Sequence, residues 1–580
     1  MMSVRSCLLS GLAAILLAAG PVAAAKPPTP DEAAEAYVQG RLALAEDDLG
    51  TAAQRFDLVL KAGADDQLRR RALDVAILGG DMPAAVKLAN QIALQSESAP
   101  GEGLEDSMVA LTRLAGATAA RDWKAYDAAR IAFAAPGRGG ESGKVLATLL
   151  EAYGLAARGD VAGGLAIVEA DDAKGISGSY MSEHRAHLLA LAKRWPEAAD
   201  AYGAIVAAEG ANVTRLRIAA AAAALEAASS NPQYRSKAIL ILGGGPARDP
   251  YLMEARARLA ADPKMQGRKL GAMPQRASEG LGLLFLRLAA DLGRERATGP
   301  ALSFARLATF VEPGLQDAWF VTADALVRSD KPDLALQTLD KAPTDAPTQL
   351  IANARRASIL ASEDRTDEAR AILQRLTARP DASSEDWARL ADVERRAKNY
   401  PQSIALYGKA LQLLPEPAGP AHAQLLFLRG SVNEVAGNWA DAEADLRKAA
   451  ELQPDNPVIL NYLGYSLLDR RMKIDEARDL IARAYKAAPD NGAIIDSMGW
   501  AEYVRGNYAE AVQLLERARA AEPADPTVAD HLGDALWKAG RRIEARHAWN
   551  SAAALSPEPE LQALLAKKLD FGLDIALASR

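Results

Sequence analysis

From about residue 423 onward, polar and apolar positions recur in blocks. The stretches NYLGYSLLDRR, beginning at Asn461, and DSMGWAEYVRG, beginning at Asp496, share one order: a polar start, a glycine, a large aromatic directly after it, then apolar positions ending in basic ones. The glycines Gly430, Gly464, Gly499 and Gly533 are spaced by 34, 35 and 34 residues. An alanine follows each after twelve or thirteen residues, at Ala442, Ala477, Ala511 and Ala545, and Pro454, Pro489, Pro523 and Pro557 close the units. Between glycine and alanine lies a turn signal, Gly437-Asn438-Trp439, Gly506-Asn507-Tyr508 or Gly540-Arg541-Arg542. Each unit therefore predicts two helices of about three or four turns, the second ended by its proline. The one extra residue falls in DRRMKIDEA, where a loop can absorb it. Small residues at such spacing fit two helices in close approach, where a larger side chain would force them apart. One pair cannot bury both its faces, so neighbouring pairs must stack.

These positions resemble the tetratricopeptide repeat family, with four consecutive units over residues 423–557. A looser match continues upstream. Trp387, Leu390, Ala391, Tyr400, Tyr407, Ala410 and Pro415 fit one unit, Trp319, Ala323, Ala335, Ala342 and Pro347 another, and Ala357 and Ala369 lie between them. YVQGRLALAEDDLGTAAQRFDLVL and RRALDVAILGGDMPAAVKLANQI share the helix-turn-helix shape near the N-terminus. The resemblance implies an all-α fold, a tetratricopeptide-repeat α-solenoid of about 12 to 15 antiparallel helix pairs stacked into a right-handed superhelix. The expected organisation is a signal peptide at 1–25, degenerate helical repeats at 26–242, a Gly/Pro-rich interruption at 243–280 separating two superhelices, repeats at 281–557 and a capping helix with tail at 558–580.

Charge and cysteine content narrow the surroundings. The net charge is −7 with acids and bases interspersed, so no basic patch suits nucleic acid. The single cysteine, Cys7, lies in a segment with Arg5, an apolar run from Cys7 to Ala19, a Gly20-Pro21 break and Ala23-Ala24-Ala25 before Lys26. This reads as a secretory signal cleaved after Ala25, the competing reading being an uncleaved anchor. No later segment approaches 18 uninterrupted apolar residues, so no membrane span is expected after cleavage. The short signal and Ala/Arg-rich composition point to the periplasm of a Gram-negative bacterium.

Candidate chemistry is sparse. His184 and His187, three apart beside Glu183, lack further ligands nearby and read as solvated surface residues, so no metal is expected. Gly243-Gly244-Gly245 lacks the lysine and hydroxyl residue of a phosphate loop and reads as linker. There is no glycine-flanked serine elbow and, after cleavage, no cysteine nucleophile, so no catalytic residues and no cofactor are assigned.

In the family, the first helix of each pair lines a concave groove. Carried over position by position, the resemblance implies a partner-binding wall of Asn461, Tyr465 and Leu468, then Asp496, Trp500 and Tyr503, then Asp530, Asp534, Trp537 and Lys538. Only 5% of the chain is aromatic, which makes this concentration worth explaining. Two accounts stand: packing between neighbouring repeats, or anchors for another protein or peptide segment, with the aspartates favouring a basic partner. The reading is a non-catalytic interaction scaffold or adaptor of the cell envelope. Alternatives are an accessory subunit of a polysaccharide export or synthesis complex, and a hydrolase in the N-terminal half with a deep polar cleft.

Overall fold

The computed structural model describes residues 28–46, 48–63, 66–96, 107–134, 140–171, 174–209 and 213–578. The expected signal segment, 1–25, lies outside them. Among the described residues are thirty-one α-helices, from α1 (Pro30–Ala45) to α31 (Leu573–Ala578), and no strand. Consecutive helices pack as antiparallel pairs, and the fold is an all-α helical-repeat solenoid.

The unit containing α24 (Pro457–Asp469) and α25 (Ile474–Ala487) shows how sequence sets a pair. Asn456 caps α24 by accepting from the Val458 and Ile459 amides, and Pro457, with no N–H to lose, sits in the first turn. A Cβ on Gly464 would lie 2.8 Å from the Ala477 carbonyl oxygen, so any side chain there would drive the two helices apart. The extra residue of this unit falls in the connecting turn, where Arg471 and Lys473 both adopt left-handed backbone. Equivalent turns place Gly506 at φ +86°, but also Lys398, Asp364, Asp330 and Arg296 at φ 55–61°. The backbone requires left-handed geometry there whichever residue the sequence supplies.

The chain divides into two compact units, one ending at Gln349 and the other beginning at Leu350. This corrects the expected separation at 243–280. That stretch is part of the first unit's packing: residues Pro250–Ala261 form α13, with Leu252 fully buried, and Met265, Leu270 and Met273 are buried beyond it. Arg256 ties the glycine-rich loop by donating to the carbonyls of Leu242, Gly245, Pro246 and Ala247. A Cβ on Gly267 would lie 1.8 Å from the Ala222 carbonyl oxygen. The glycine there serves close packing rather than a flexible linker.

Within the first unit, the first helices of successive pairs include α3 (Asp66–Gly79), α5 (Ser107–Ala120), α7 (Gly140–Ala157) and α9 (Gly175–Leu191). The hairpin of α14 (Ala277–Arg294) and α15 (Thr298–Val311) packs across them, α14 on α7 and α9, α15 on α3 and α5. Arg287 of α14 donates to the Ser179 hydroxyl at 2.6 Å and its carbonyl at 3.2 Å, and pairs with Glu183. Tyr180 donates to Asp291, and buried Arg306 donates to the Leu78 carbonyl at 2.9 Å.

His184 and His187, expected at the solvated surface, are fully buried beneath this hairpin. Each Nδ1 lies 2.7 Å from a tyrosine hydroxyl, Tyr153 for His184 and Tyr202 for His187. Burial is the main cause holding both imidazoles below their ordinary pKa. Burial alone would raise Glu183, but its hydrogen bond with His187 and the charge of Arg215 hold it well below the usual carboxylate range.

Candidate partner-binding wall

In the second unit the wall is carried by α24, α26 (Gly492–Val504) and α28 (Pro526–Lys538), three first helices packed in succession. Asn491 and Asp525 cap the latter two as Asn456 caps α24, fixing where each begins. Repeat stacking then brings residues about one unit apart in sequence side by side.

The wall is largely occupied by its own side chains. Trp500 stacks on Tyr503 with centroids 4.5 Å apart and planes at 14°, and on His531 at 4.1 Å and 17°. Both ring faces are covered, leaving an edge. Tyr465 continues the column, 6.4 Å from the His531 ring. His531 holds Asp496 with Nδ1 3.0 Å from both carboxylate oxygens. Burial alone would push His531 down, but Asp496, then Asp530 and Asp534, raise its pKa above the ordinary value.

Deeper lies a second charge cluster. Lys568 of α30 (Pro559–Phe571), only 1% exposed, donates to Asp530 at 2.6 and 2.8 Å and to Asp534 at 2.7 and 2.9 Å. Asp534 also accepts from Trp549 Nε1 at 3.0 Å. Burial and the adjacent Asp530 push Asp534 up to about 6, against the pull of Lys568 and His531.

Several sequence expectations change here. Leu468 is 1% exposed and belongs to the core between repeats, and Tyr503 is buried, so neither presents a free anchor. Asp496, Asp530 and Asp534, read as open to a basic partner, are buried and already paired with His531 and Lys568. The structure brings Tyr465, Asp496, Trp500 and Tyr503 together around His531, and Asp530 and Asp534 around Lys568. Trp537 and Lys538 stand apart at the far end, both bonded to Asp574. Asn461 is half-buried on α24, and its Oδ1 is buried with no hydrogen-bond partner.

His531, Lys568 and Asp574 were missed. The repeat itself carried the signal for two of them: Lys568 lies 34 residues from Asp534, and His531 lies 35 from Asp496. No group of three or more His, Cys, Asp or Glu side chains that could hold a metal occurs among the described residues.

Family models of the tetratricopeptide repeat match residues 388–457, 434–492 and 505–568. These stretches carry tetratricopeptide repeats. It is 36% identical over 165 residues to the TPR repeat-containing protein PA4667 of Pseudomonas aeruginosa, a match spanning 28% of this chain and 27% of that protein. Among solved structures, the Cut9–Hcn1 hetero-tetramer of the APC/C overlaps at 15% identity over 93% of this chain and 96% of that one, with a TM-score of 0.37. YrrB, described as a TPR protein with an unusual peptide-binding site, overlaps at 19% identity over 30% of this chain and 87% of its own, with a TM-score of 0.26. MamA from Desulfovibrio magneticus overlaps at 14% over 30% and 94%, with a TM-score of 0.27. These overlaps say nothing of what this chain binds.

Proposed function

We propose that this tetratricopeptide-repeat chain is an interaction scaffold of the bacterial cell envelope, exported to the periplasm and binding a partner protein along the wall between Asn461 and Trp500. The repeat family supports the scaffold role, and a helical-repeat fold of this kind is typically non-catalytic. The observation that carries the site is Asn461: its buried, unpaired Oδ1 sits on the same helix as half-buried Tyr465, one unit from the edge of Trp500. A buried acceptor without a partner costs about 1–3 kcal/mol, a cost that a donor on a bound partner would relieve. An extended segment could donate to Asn461 while resting against the Tyr465 and Trp500 edges.

Export rests on the 1–25 segment and is checked by the mature N-terminus, which should be Lys26; an intact Met1 on cytoplasmic protein sinks it. The binding site is checked by capturing a partner from native envelope with the mature chain, then comparing Asn461→Ala and Tyr465→Ala. Removing an unsatisfied acceptor should leave melting unchanged or raised, while the affinity falls about tenfold. Unchanged affinity in both variants, on folded protein, rejects this wall as the site.

A further inference from the structure

The far end of the wall has the opposite polarity to the aspartate cluster. Lys538 ends α28, and α29 (Arg542–Ala554) begins with Arg542 and carries Arg546 one turn on. The two guanidinium groups lie 5.1 and 5.9 Å from the Trp537 ring centroid. The wall carboxylate Asp534 is taken by Lys568 and Trp549, and Arg546 donates to the Leu569 carbonyl. The carboxylate that pairs with Lys538 and lies near Arg542 comes from the chain's own last helix. Asp574 of α31 accepts from Trp537 Nε1 at 3.1 Å and from Lys538 Nζ, and Lys538 and Trp537 hold its carboxyl below the usual range.

The same strap fills the apolar side of the site. Leu573 and Ala576 are fully buried, Leu573 in the core that includes Trp549, while Phe571 and Ile575 stay exposed. Gly572, at φ +82°, makes the bend between α30 and α31, and a Cβ there would lie 2.5 Å from the Trp537 ring. The strap is six residues long, and its one ionic contact is solvent-exposed, 62% for Asp574 and 33% for Lys538. An exposed pair of this kind contributes little, so the burial of Leu573 is what chiefly holds the strap. A ring flanked by two guanidinium groups, sharing with Lys538 a carboxylate next to a buried leucine, displays the chemistry of its own ligand.

We propose that the Trp537–Lys538–Arg542–Arg546 face docks an acidic segment of a partner protein, a carboxylate side chain beside an aliphatic one, and that α31 occupies this face in cis until the partner displaces it. The proposal rests on the scaffold reading but not on the Asn461 wall, and it reverses the basic partner expected from the aspartates.

The test needs no natural partner. A fluorescent peptide with the sequence of residues 571–580 is titrated against the full-length chain, against Asp574→Asn, and against Asp574→Asn with Lys538→Gln. The cis strap competes at an effective concentration of about millimolar, so weakening its exposed ion pair should raise peptide affinity about threefold. Adding Lys538→Gln should abolish that gain, and a peptide carrying asparagine in place of its aspartate should bind about threefold more weakly. Equal affinity of the wild-type and Asp574→Asn chains, or indifference to the peptide carboxylate, on proteins with native circular dichroism and melting, overturns the proposal. So does a dimer of the Asp574→Asn chain that exchanges tails, which would make the occupant a second copy. Failure of the Asn461 variants with success here would reject the wall and keep this face.

Discussion

The two units cover their first helices by different means. In the unit ending at Gln349, α14 and α15 lie across α3, α5, α7 and α9, and one continuous core runs from Leu73 to Ala318. In the unit beginning at Leu350, side chains do the covering: the Tyr503–Trp500–His531 column and the Lys568 cluster, over local cores such as Leu446 to Val528 and Tyr503 to Leu573. A helix laid across an array links pairs distant in sequence, whereas side chains link only neighbours. The first unit should therefore respond to damage as a whole, and the second repeat by repeat.

The sharpest way to break this comparison is Arg287→Ala. It leaves the buried Glu183 with Arg215 as its remaining guanidinium partner, and half-broken buried pairs of this kind cost about 3 kcal/mol or more. Urea unfolding should show that loss, with hydrogen exchange rising across α14, α7 and α9 together while residues 423–557 keep their protection. If only α14 loosens, the hairpin is not what unifies the first unit.

Trp500→Ala comes next. With both ring faces covered by Tyr503 and His531, the residue stabilises the fold, and its loss should cost about 2 kcal/mol, felt in α26 and α28 but not in the first unit. Unchanged melting would mean the column is incidental.

A smaller effect separates the units by pH. His531 faces Asp496 on α26 and Asp530 and Asp534 on α28, the latter two also held by Lys568 of α30, and lies between the rings of Trp500 and Tyr465. Its folded pKa is raised, so its contribution is complete below the unfolded value of about 6.5 and is lost as pH rises through the folded value. Asp534, raised from 3.8 to about 6, has the same sign, its contribution fading between those values. Melting of the second unit should fall as pH rises from 6 to 8.5 in wild type and fall less in His531→Gln. Equal slopes in the two proteins would refute the assignment.

The smallest change is Lys398→Gly. Lys398 sits at φ 59°, in the turn position that Gly506 fills at φ +86°. Relief of left-handed strain, less glycine's extra unfolded-state freedom, should stabilise by about 0.5–1 kcal/mol. A loss of stability would mean that the lysine side chain matters more than its backbone.

These cases show where sequence reasoning held and where it stopped. The repeat over 423–557 was legible because glycines, alanines and prolines stood in register, each demanded by a local contact, as Gly464 is by the Ala477 carbonyl. Upstream, the same left-handed turn is made by Lys398, Asp364, Asp330 and Arg296, so no glycine marked it. The Gly/Pro-rich stretch at 243–280 looked like a boundary because glycine supplies flexibility in a linker and close approach in a core, and Gly267 beside Ala222 is the second case. His184 and His187 looked solvated because nothing in their own helix reveals that α14 covers them.

The candidate wall divides in the same way. Periodicity and family resemblance sufficed to place Asn461, Tyr465, Trp500, Asp530 and Asp534 on successive first helices. Whether each was free was decided only by residues a full unit away, His531 for Asp496, Lys568 for Asp534 and Asp574 for Lys538. By itself the sequence determined the helix pairs, their period and the register in which they stack, because these depend on contacts within one unit and the next. The tertiary structure decided that α14 and α15 cover the first helices of one unit and that α31 turns back onto Trp537 and Lys538 in the other. A helix such as α14 is held by surfaces from several pairs at once, and no local pattern in its own residues records them.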